Sequence, residues 1–443
     1  MSEIKVAFIT NHKKIRAIHH LRIIGPAAYT DTKLFICHKN LDGLSEILDK
    51  AQVFVIQRDF PVDYKFYLYL SEKSQKNNIP IVYDLDDDLF NLPTTHPNRL
   101  SNSYTNALIP MMEAALSADY VTVSTNFMKK TLSALNKNIF VFSNYLDDKI
   151  WDFTPPKIKN NDQKITLGYM GGASHKPDIE SIVNVLINLI QEYPNKLKLH
   201  FYGLKPPDIL MNYPNTIWTP IKTYQYENFA QDFQKIDVDF FIAPLRDNNF
   251  NKCKSGIKFF EYSAVGAPGV FSRLEPYEGI INDGENGFLA SSEEEWNEKI
   301  QLLIHDPELR YQLTTNAQKI IKQNYLMSKN SCKWKSLYED FIEGKQSGKK
   351  IRNVPHEMIK NIAIQISEFN ENNKELLSSY KKERVNFQRK ITVQEKENKI
   401  LEKIIVTQKR KIKNLEEEVL FYAQSKSWRA TRPIRKIIKN FEK

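Results

Sequence analysis

Short apolar runs rich in β-branched residues alternate with longer helix-like stretches over roughly the first 340 residues. This alternation predicts parallel sheets with helices on both faces. A Pro-, Asn- and Lys-rich stretch at 155–163 separates two such series and is interpreted as a linker. The predicted strands are 4–9, 52–57, 79–83, 119–123 and 139–142, then KITLGYM, KLKLHFYG, VDFFIAPL and APGVFS.

Two successive α/β units of similar size predict two Rossmann-like domains, residues 1–155 and 156–333, that face a cleft. A helix and linker at 334–350 follow. In open α/β sheets, ligands bind beyond the carboxyl ends of the strands. We therefore expect ligand-contacting residues directly after strand 79–83.

A different pattern begins after about residue 345 and predicts a coiled coil over 351–424. Apolar residues recur there at alternating steps of four and three, with charges between them and one extra-residue step near Phe387. The pattern favours a homo-oligomer over a solvated single helix, and it does not choose between two and three strands. Polar residues on the seam are Asn373, Glu383, Gln394, Asn398 and Gln408.

The last 19 residues, 425–443, form a basic amphipathic pattern. Four apolar residues share one helical face, with basic residues around them and Trp428 upstream. This pattern is typical of a helix that lies on an anionic membrane surface, with nucleic-acid contact and simple solvation as the alternatives. The apolar residues are Ile434, Ile437, Ile438 and Phe441.

The net charge of +10 is concentrated in this C-terminal part of the chain. Residues 345–443 hold 25 Lys and Arg against 12 Glu, which leaves a net charge of −3 on the rest. The basic balance of the whole chain is therefore no argument for nucleic acid as a partner. Three scattered cysteines exclude a disulfide framework and suit a reducing cytoplasm. No signal peptide and no spanning helix are expected, so we predict a cytoplasmic or peripheral protein.

The segment IPIVYDLDDDLFNLP (79–93) places four carboxylates after a strand: Asp84, Asp86, Asp87 and Asp88. Three interpretations are open. They bind a divalent metal ion, they position sugar or acceptor hydroxyl groups in the cleft, or they only cap the next segment. The second is our preferred prediction, and a metal ion is not expected to be required.

The segment APLRDNNFNKCKSGIKFFEYSAVGAPGVFS (243–272) predicts a phosphate site. A strand ends at Pro244, a lysine-bearing loop follows, and a helix begins at Gly256 and ends before Gly266. The free N–H groups of a helix N-terminus, the Ser255 hydroxyl and the nearby Lys254 would suit an anion. Glu261 could accept hydrogen bonds from a ribose diol. An ordinary capped helix with a surface Glu is the alternative.

This segment, together with LGYMGG (167–172) and the stretch from PYEGIINDGENGFLA through DPELRYQLTTNAQKII (276–321), resembles the C-terminal domain of family 4 retaining glycosyltransferases. The resemblance implies a GT-B fold, a nucleotide-sugar co-substrate and no required cofactor. It also implies that the helix at 334–344 crosses back to the first domain. The coiled coil and basic tail are similar to those appended to bacterial surface-polysaccharide transferases.

The same resemblance supplies candidate site residues. Glu261 corresponds to the ribose-binding second Glu of the family's Glu-x7-Glu motif, whereas Cys253 stands where the first Glu is expected, with Asp247 and Asn251 as candidate substitutes. Asp86 and Asp87 correspond to a cleft-facing His-Asp pair and, together with Lys258, are the predicted catalytic residues. The positions that correspond to the family's phosphate-binding elements are Gly171, Gly172, Lys176, Lys254, Ser255, Gly256 and Lys258.

The predicted function is therefore transfer of a sugar from a nucleotide-sugar to a glycan or lipid-linked glycan, with retention, in O-antigen or capsule synthesis at the inner membrane face. Two rival functions remain. A sugar-nucleotide epimerase or hydrolase on the same fold would need no acceptor. A coiled-coil scaffold with a degenerate GT-B body would explain Cys253 and the lack of a glycine-rich loop after the first strand.

Overall fold

The computed structural model describes residues 3–12, 14–158, 163–346, 356–424 and Pro433, with side chains in the last helix described for residues 378–422. The chain divides into two compact units, Met1–Ser367 and Glu368–Lys443. The first unit contains both sheets, and the second contains most of the long C-terminal helix. The predicted basic tail at 425–443 lies, apart from Pro433, outside the described residues.

Two parallel six-stranded sheets form the first unit, which confirms the predicted α/β class with two Rossmann-like sheets. The strand order is β2-β1-β3-β4-β5-β6 in the first sheet and β12-β11-β10-β7-β8-β9 in the second. The strands are β1 Ile4–Ile9, β2 Thr32–Cys37, β3 Val53–Gln57, β4 Ile81–Leu85, β5 Tyr120–Val123, β6 Ile139–Val141, β7 Ile165–Gly171, β8 Leu197–Gly203, β9 Thr216–Thr219, β10 Phe240–Ala243, β11 Gly269–Ser272 and β12 Phe288–Ala290.

Helices connect these strands and cover the sheet faces. The first of them, α1, continues through a π-helical turn, His20–Ile24, into α2. The helices are α1 Ala17–His19, α2 Gly25–Ala28, α3 Leu44–Lys50, α4 Tyr64–Asn77, α5 Pro97–Leu100, α6 Leu108–Ser117, α7 Asn126–Leu132, α8 Lys176–Glu180, α9 Val183–Glu192, α10 Asp208–Met211, α11 Tyr226–Phe233, α12 Asn249–Lys252, α13 Ile257–Ala264, α14 Glu275–Glu278, α15 Glu293–His305, α16 Pro307–Asn324, α17 Met327–Gln346 and α18 His356–Gln424.

The strands that sequence analysis missed are β2, β9 and β12, and all three lie at sheet edges. Strands β2 and β9 are only partly buried and β12 is three residues long, so their hydrophobic signals are weak. Strand β4 also extends further than expected, to Leu85. Asp84 therefore lies inside the strand, and only Asp86, Asp87 and Asp88 follow its carboxyl end.

Helix α17 packs against the first sheet although it follows the second sheet in sequence. Trp334, Tyr338 and Phe341 share one apolar cluster with β-strand residues such as Val6 and Val55. The stacked rings of Phe341 and Tyr120 are 4.1 Å apart. The chain thus returns to its first domain, and this packing fixes the C-terminal segment of the body to the first sheet.

Helix α18 is 69 residues long. Its described side chains, 378–422, are exposed, including those on the predicted coiled-coil seam, such as Leu401, Ile405 and Ile412. Among the described residues, no helix is both long enough and apolar enough to cross a membrane.

Candidate active site

The carboxyl ends of both sheets border a cavity of about 220 Å³ in the first unit. The first domain contributes the start of α1 and the aspartates after β4. The second domain contributes the loop after β7 and the N-terminal part of α13. The residues that line the cavity include Ala17, Asp86, Asp87, Asn144, His175, Lys254, Ser255, Ile257, Lys258 and Tyr277.

Asp84 is a structural carboxylate beneath this cavity. It is 1% exposed, and Arg22 Nη2 lies 2.7 Å from its Oδ1. Gln57 Nε2 donates to Oδ2 at 2.8 Å, and the Thr122 hydroxyl donates to Oδ1 at 2.8 Å. A buried ion pair persists only when such hydrogen bonds satisfy the remaining lone pairs. Asp84 is therefore committed to the fold and does not face a ligand.

Asp86 and Asp87 both lie against the Arg58 guanidinium. Arg58 Nε is 3.3 Å from Asp86 Oδ1, and its Nη2 is 3.5 Å from Asp87 Oδ2. Arg58 follows β3 with a left-handed φ of 50°, a strained conformation for a side chain of this size. Within the described part of the chain, no group of three or more His, Cys, Asp or Glu side chains could hold a metal ion. The guanidinium supplies the positive charge that these carboxylates need.

The two carboxylates differ in protonation. Burial raises the pKa of Asp86 to about 6, against the opposing charge of Arg58. Burial also acts to raise the pKa of Asp87, but Lys254 and Arg58 outweigh it and hold that pKa below its ordinary value. Asp86 Oδ1 is buried and receives no hydrogen bond from any described residue. That oxygen contacts Arg58 Nε at 3.3 Å as an ion pair, and its remaining lone pair can accept from a ligand hydroxyl.

The opposite wall of the cavity is positively charged. Lys254 Nζ lies 3.9 Å from Asp87 Oδ1 and 4.4 Å from the centre of the Phe250 ring. Lys258 lies in the first turn of α13, and its Nζ is 3.5 Å from the Tyr169 hydroxyl. It forms no ion pair with a described residue. Burial lowers the pKa of Lys258 to about 8. A buried amine without a carboxylate partner is a strong site for an anion.

Glu261 lies one turn beyond Lys258 on α13 and is 3% exposed. The Tyr226 hydroxyl donates to Glu261 Oε1 at 3.0 Å, and Trp151 Nε1 donates to that hydroxyl at 3.0 Å. Burial raises the pKa of Glu261 to about 7, although Tyr226 and Lys258 act in the opposite direction. This chain of donors fixes the orientation of the carboxylate. Glu261 lies behind the residues that line the cavity, not among them.

His175, in the loop after β7, also lines the cavity. Its Nδ1 lies 2.8 Å from Asp178 Oδ2. Asp178 Oδ1 in turn accepts from the backbone N–H of Arg246 and from Asn251 Nδ2. Burial lowers the pKa of His175 to about 3, and Lys258 adds to this effect. The imidazole is therefore neutral at pH 7, and Asp178 fixes its orientation.

The other predicted phosphate-site residues are placed differently. Ser255 lines the cavity and accepts a 2.9 Å hydrogen bond from Asn144 of the first domain. Gly256 is the N-cap of α13, where a Cβ would lie 2.6 Å from the Pro276 carbonyl oxygen, so only glycine fits. The side chain of Lys176 is exposed and pairs with Glu180 at 3.8 Å, outside the cavity.

Gly171 and Gly172 end β7 and begin the loop that follows it. A Cβ on Gly171 would collide with the Tyr169 hydroxyl, the same group that contacts Lys258. A Cβ on Gly172 would meet no atom within 4 Å. Gly171 is thus required by packing, whereas Gly172 borders open space that a ligand could approach.

Cys253 points away from the cavity. It is completely buried within the apolar core of the first domain, and its carbonyl accepts from the Thr125 hydroxyl at 3.1 Å. Burial raises the pKa of its thiol to about 12, so the thiol is neutral. The suggested substitutes are also engaged elsewhere. Asp247 is exposed and pairs with Lys252, and Asn251 donates to Asp178.

Known proteins resemble both the second domain and the whole fold. Residues 237–320, which include Lys254, Lys258 and Glu261, match the family described as "Glycosyl transferases group 1". HepE of Anabaena in complex with UDP and glucose is 12% identical, with a TM-score of 0.55, over 76% of this chain and 100% of that one. Sucrose-phosphate synthase of Thermosynechococcus elongatus is 13% identical, with a TM-score of 0.55, over 77% of this chain and 100% of the synthase.

A looser likeness is to TarM, at 16% identity and a TM-score of 0.47, of which the chain covers 55%. No curated protein matches the chain in sequence. At such low identities the solved structures define the fold alone, and the family match defines one segment. The chain therefore has the GT-B fold of glycosyltransferases, and its residues 237–320 carry the group 1 glycosyltransferase signature.

Proposed function

We propose that the protein is a glycosyltransferase that moves a sugar from a nucleotide-sugar to a glycan or lipid-linked glycan acceptor, with retention. The observation that carries this proposal is the distribution of charge across the cavity. Lys254 and Lys258 lie on the wall formed by the group 1 segment, and Asp86 and Asp87 lie opposite them. The negatively charged diphosphate suits the lysine wall, and the hydroxyl groups of a sugar suit the aspartate wall.

The cationic wall suits the donor diphosphate. Lys258 forms no ion pair with a described residue, and no side chain caps the N-terminus of α13 at Gly256. When the bond between the sugar C1 and the diphosphate breaks, negative charge grows on the departing oxygen. An ammonium group already in place stabilises that charge without solvent reorganisation. The proposal therefore requires no divalent metal ion.

Glu261 is the proposed ribose anchor. Tyr226 engages one of its oxygens, and no described residue donates to the other. A ribose diol can donate to a carboxylate through both hydroxyl groups, which favours the ionised form. The raised pKa of Glu261, about 7, means that nucleotide binding would release a proton from this side chain near neutral pH.

Asp86 is the proposed sugar-contacting group on the first domain. Its Oδ1, which contacts Arg58 without a hydrogen bond, can accept one from a sugar hydroxyl, and Arg58 holds the carboxylate in place. In transfer with retention, the acceptor oxygen bonds to C1 on the face that the diphosphate leaves. The acceptor proton then passes to the departing phosphate oxygen. Asp86 and Asp87 would orient the hydroxyl groups during this exchange.

The proposal also covers the acceptor and the cellular role of the enzyme. Attachment of a long helix and a basic C-terminal sequence to the enzyme body supports work on a lipid-linked glycan at the cytoplasmic face of the inner membrane. Synthesis of a surface polysaccharide, such as O-antigen or capsule, fits that setting. HepE, whose fold is similar, was crystallised with UDP-glucose, which supports a nucleotide-sugar as the donor.

A donor panel tests the proposal on the full chain. Thermal unfolding is followed with UDP-, GDP-, ADP- and CMP-sugars, with and without EDTA, for the wild type and Glu261→Ala. We expect one nucleotide class to raise the unfolding midpoint, in EDTA as well, and the variant to lose the effect. Stabilisation that EDTA abolishes would contradict the metal-free site. No stabilisation by any donor would overturn the proposed function in favour of the scaffold.

A further inference from the structure

A mainly apolar seam with three polar positions runs along α18 from Phe387 to Tyr422. Its positions alternate at steps of four and three over 36 residues, more than the three or four heptads that mark a coiled coil. All the apolar seam side chains are at least half exposed. The seam residues are Phe387, Ile391, Gln394, Asn398, Leu401, Ile405, Gln408, Ile412, Leu415, Val419 and Tyr422.

The two sets of seam positions hold different residue types. One set, at heptad position a, is β-branched except for a single polar residue: Ile391, Asn398, Ile405, Ile412 and Val419. The other set, at position d, holds both seam leucines: Phe387, Gln394, Leu401, Gln408, Leu415 and Tyr422. β-Branched residues at a with leucine at d favour two parallel strands, but only Leu401 and Leu415 are leucines at d here, so the number of strands also depends on Asn398.

Asn398 sets the register. It is the single polar residue among the a positions, and in a parallel pair its side chain would face Asn398 of the second copy. Two facing amides hydrogen-bond to each other, whereas a shifted or antiparallel pairing buries an amide against apolar neighbours. The amide therefore disfavours any arrangement except the aligned one.

Charges beside the seam agree with a parallel pair. In that arrangement each g residue faces the e residue of the next heptad on the other helix. Lys390 would face Glu395, and Lys411 would face Glu416, both attractive. One pair, Glu397 with Glu402, is repulsive. Each contact occurs twice in a symmetric dimer, which gives four attractive contacts against two repulsive ones.

We propose that two copies of this chain form a parallel, in-register coiled coil through the Phe387–Tyr422 seam of α18. The occupant of the seam is thus a second copy of the same helix. This pairing is independent of the chemistry in the cavity and does not rest on the proposed function.

Cysteine cross-linking tests the orientation. In a Cys332→Ser background, which removes the exposed native thiol, Phe387→Cys and Tyr422→Cys mark the two ends of the seam. They lie about 52 Å apart along the helix at 1.5 Å per residue. In a parallel aligned pair, each variant alone forms an interchain disulfide under mild oxidation. Cross-linking only in a mixture of the two variants would show an antiparallel pair and overturn the proposal.

Stoichiometry and a matched control complete the test. Sedimentation equilibrium of the wild-type chain at about 10 μM should give twice the chain mass of 51.8 kDa. A monomer or a trimer contradicts the proposal. Val393→Cys, exposed but off the seam, should cross-link at least tenfold more slowly than Phe387→Cys. Asn398→Val should produce a mixture of dimers and trimers; an unchanged dimer would exclude the role assigned to Asn398.

Discussion

Glu261→Gln should stabilise the unliganded protein at neutral pH while it weakens donor binding. The Glu261 carboxyl has a pKa of about 7 in the folded protein and an ordinary value of 4.5. The folded state therefore keeps this proton between pH 4.5 and 7, where the unfolded chain has lost it. Stability contributed by the protonated group is present below pH 4.5 and is lost as the pH rises through 7.

The magnitude follows from the size of that pKa difference. At 1.36 kcal/mol per pKa unit, ionised Glu261 costs the fold about 3 kcal/mol above pH 7. Glutamine avoids that cost and can still accept the hydrogen bond from Tyr226. At about 2 °C per kcal/mol, the variant should unfold at about the same midpoint as wild type near pH 4.5 and about 6 °C higher at pH 7.5.

The assay is thermal unfolding of both proteins from pH 4.5 to 7.5. Glu298→Gln, an exposed glutamate on α15, is the matched control and should follow the wild type at every pH. The reasoning would be refuted by a midpoint difference between Glu261→Gln and wild type that does not change with pH. The same would follow if the control variant showed an equal rise.

Three further predictions concern the pH dependence of donor binding, the buried ion pair of Arg22 with Asp84, and the Asp86 carboxylate. Donor affinity should be highest between pH 7 and 8. Below about pH 7 Glu261 becomes protonated, and above about pH 8 Lys258 becomes neutral. Dissociation constants measured by calorimetry from pH 5.5 to 9.5 check this. Arg22→Met should destabilise the protein by about 3–5 kcal/mol in thermal unfolding, because it leaves Asp84 charged, buried and without its cation; a loss below about 1 kcal/mol would contradict this. Asp86→Asn should slow turnover of the donor about 100-fold with donor affinity little changed, and steady-state kinetics would refute the assignment if turnover were unaffected.

Much of the fold was accessible from the sequence because its strands are local apolar runs. The helix that begins at Gly256 and the loop with Lys254 were equally visible, since a strand end, basic residues and a glycine occur within one short segment. Edge strand β2 was missed because only part of it is buried. Its pairing with β1 depends on the assembled sheet, which no local pattern reports.

The partners of the site residues were the part that the sequence did not reveal. Arg58 holds Asp86 and Asp87, yet it lies 28 residues before Asp86. The signal that could have found it is topological, because parallel neighbours β3 and β4 end at the same edge and bring Arg58 beside the aspartates. Tyr226 meets Glu261 across 35 residues, and no spacing rule predicts that contact.

The departure at Cys253 has a physical explanation in the structure. A glutamate at this position would place a carboxylate in the apolar core of the first domain, where the thiol now packs near Thr131. The loop that bears it is held against the first domain through Thr125. Asp86 of the first domain is a buried carboxylate that does line the cavity.

We propose that Lys258 binds the donor diphosphate. One calorimetric comparison tests this contact. The full chain, Lys258→Met and Lys176→Met are titrated at pH 7.5 with the nucleotide-sugar that the donor panel identifies. Loss of a charge-assisted contact of about 1.5–3 kcal/mol predicts at least tenfold weaker binding by Lys258→Met. Lys176→Met, which alters an exposed lysine outside the cavity, should bind like the wild type. Equal affinity of Lys258→Met and wild type would contradict the account.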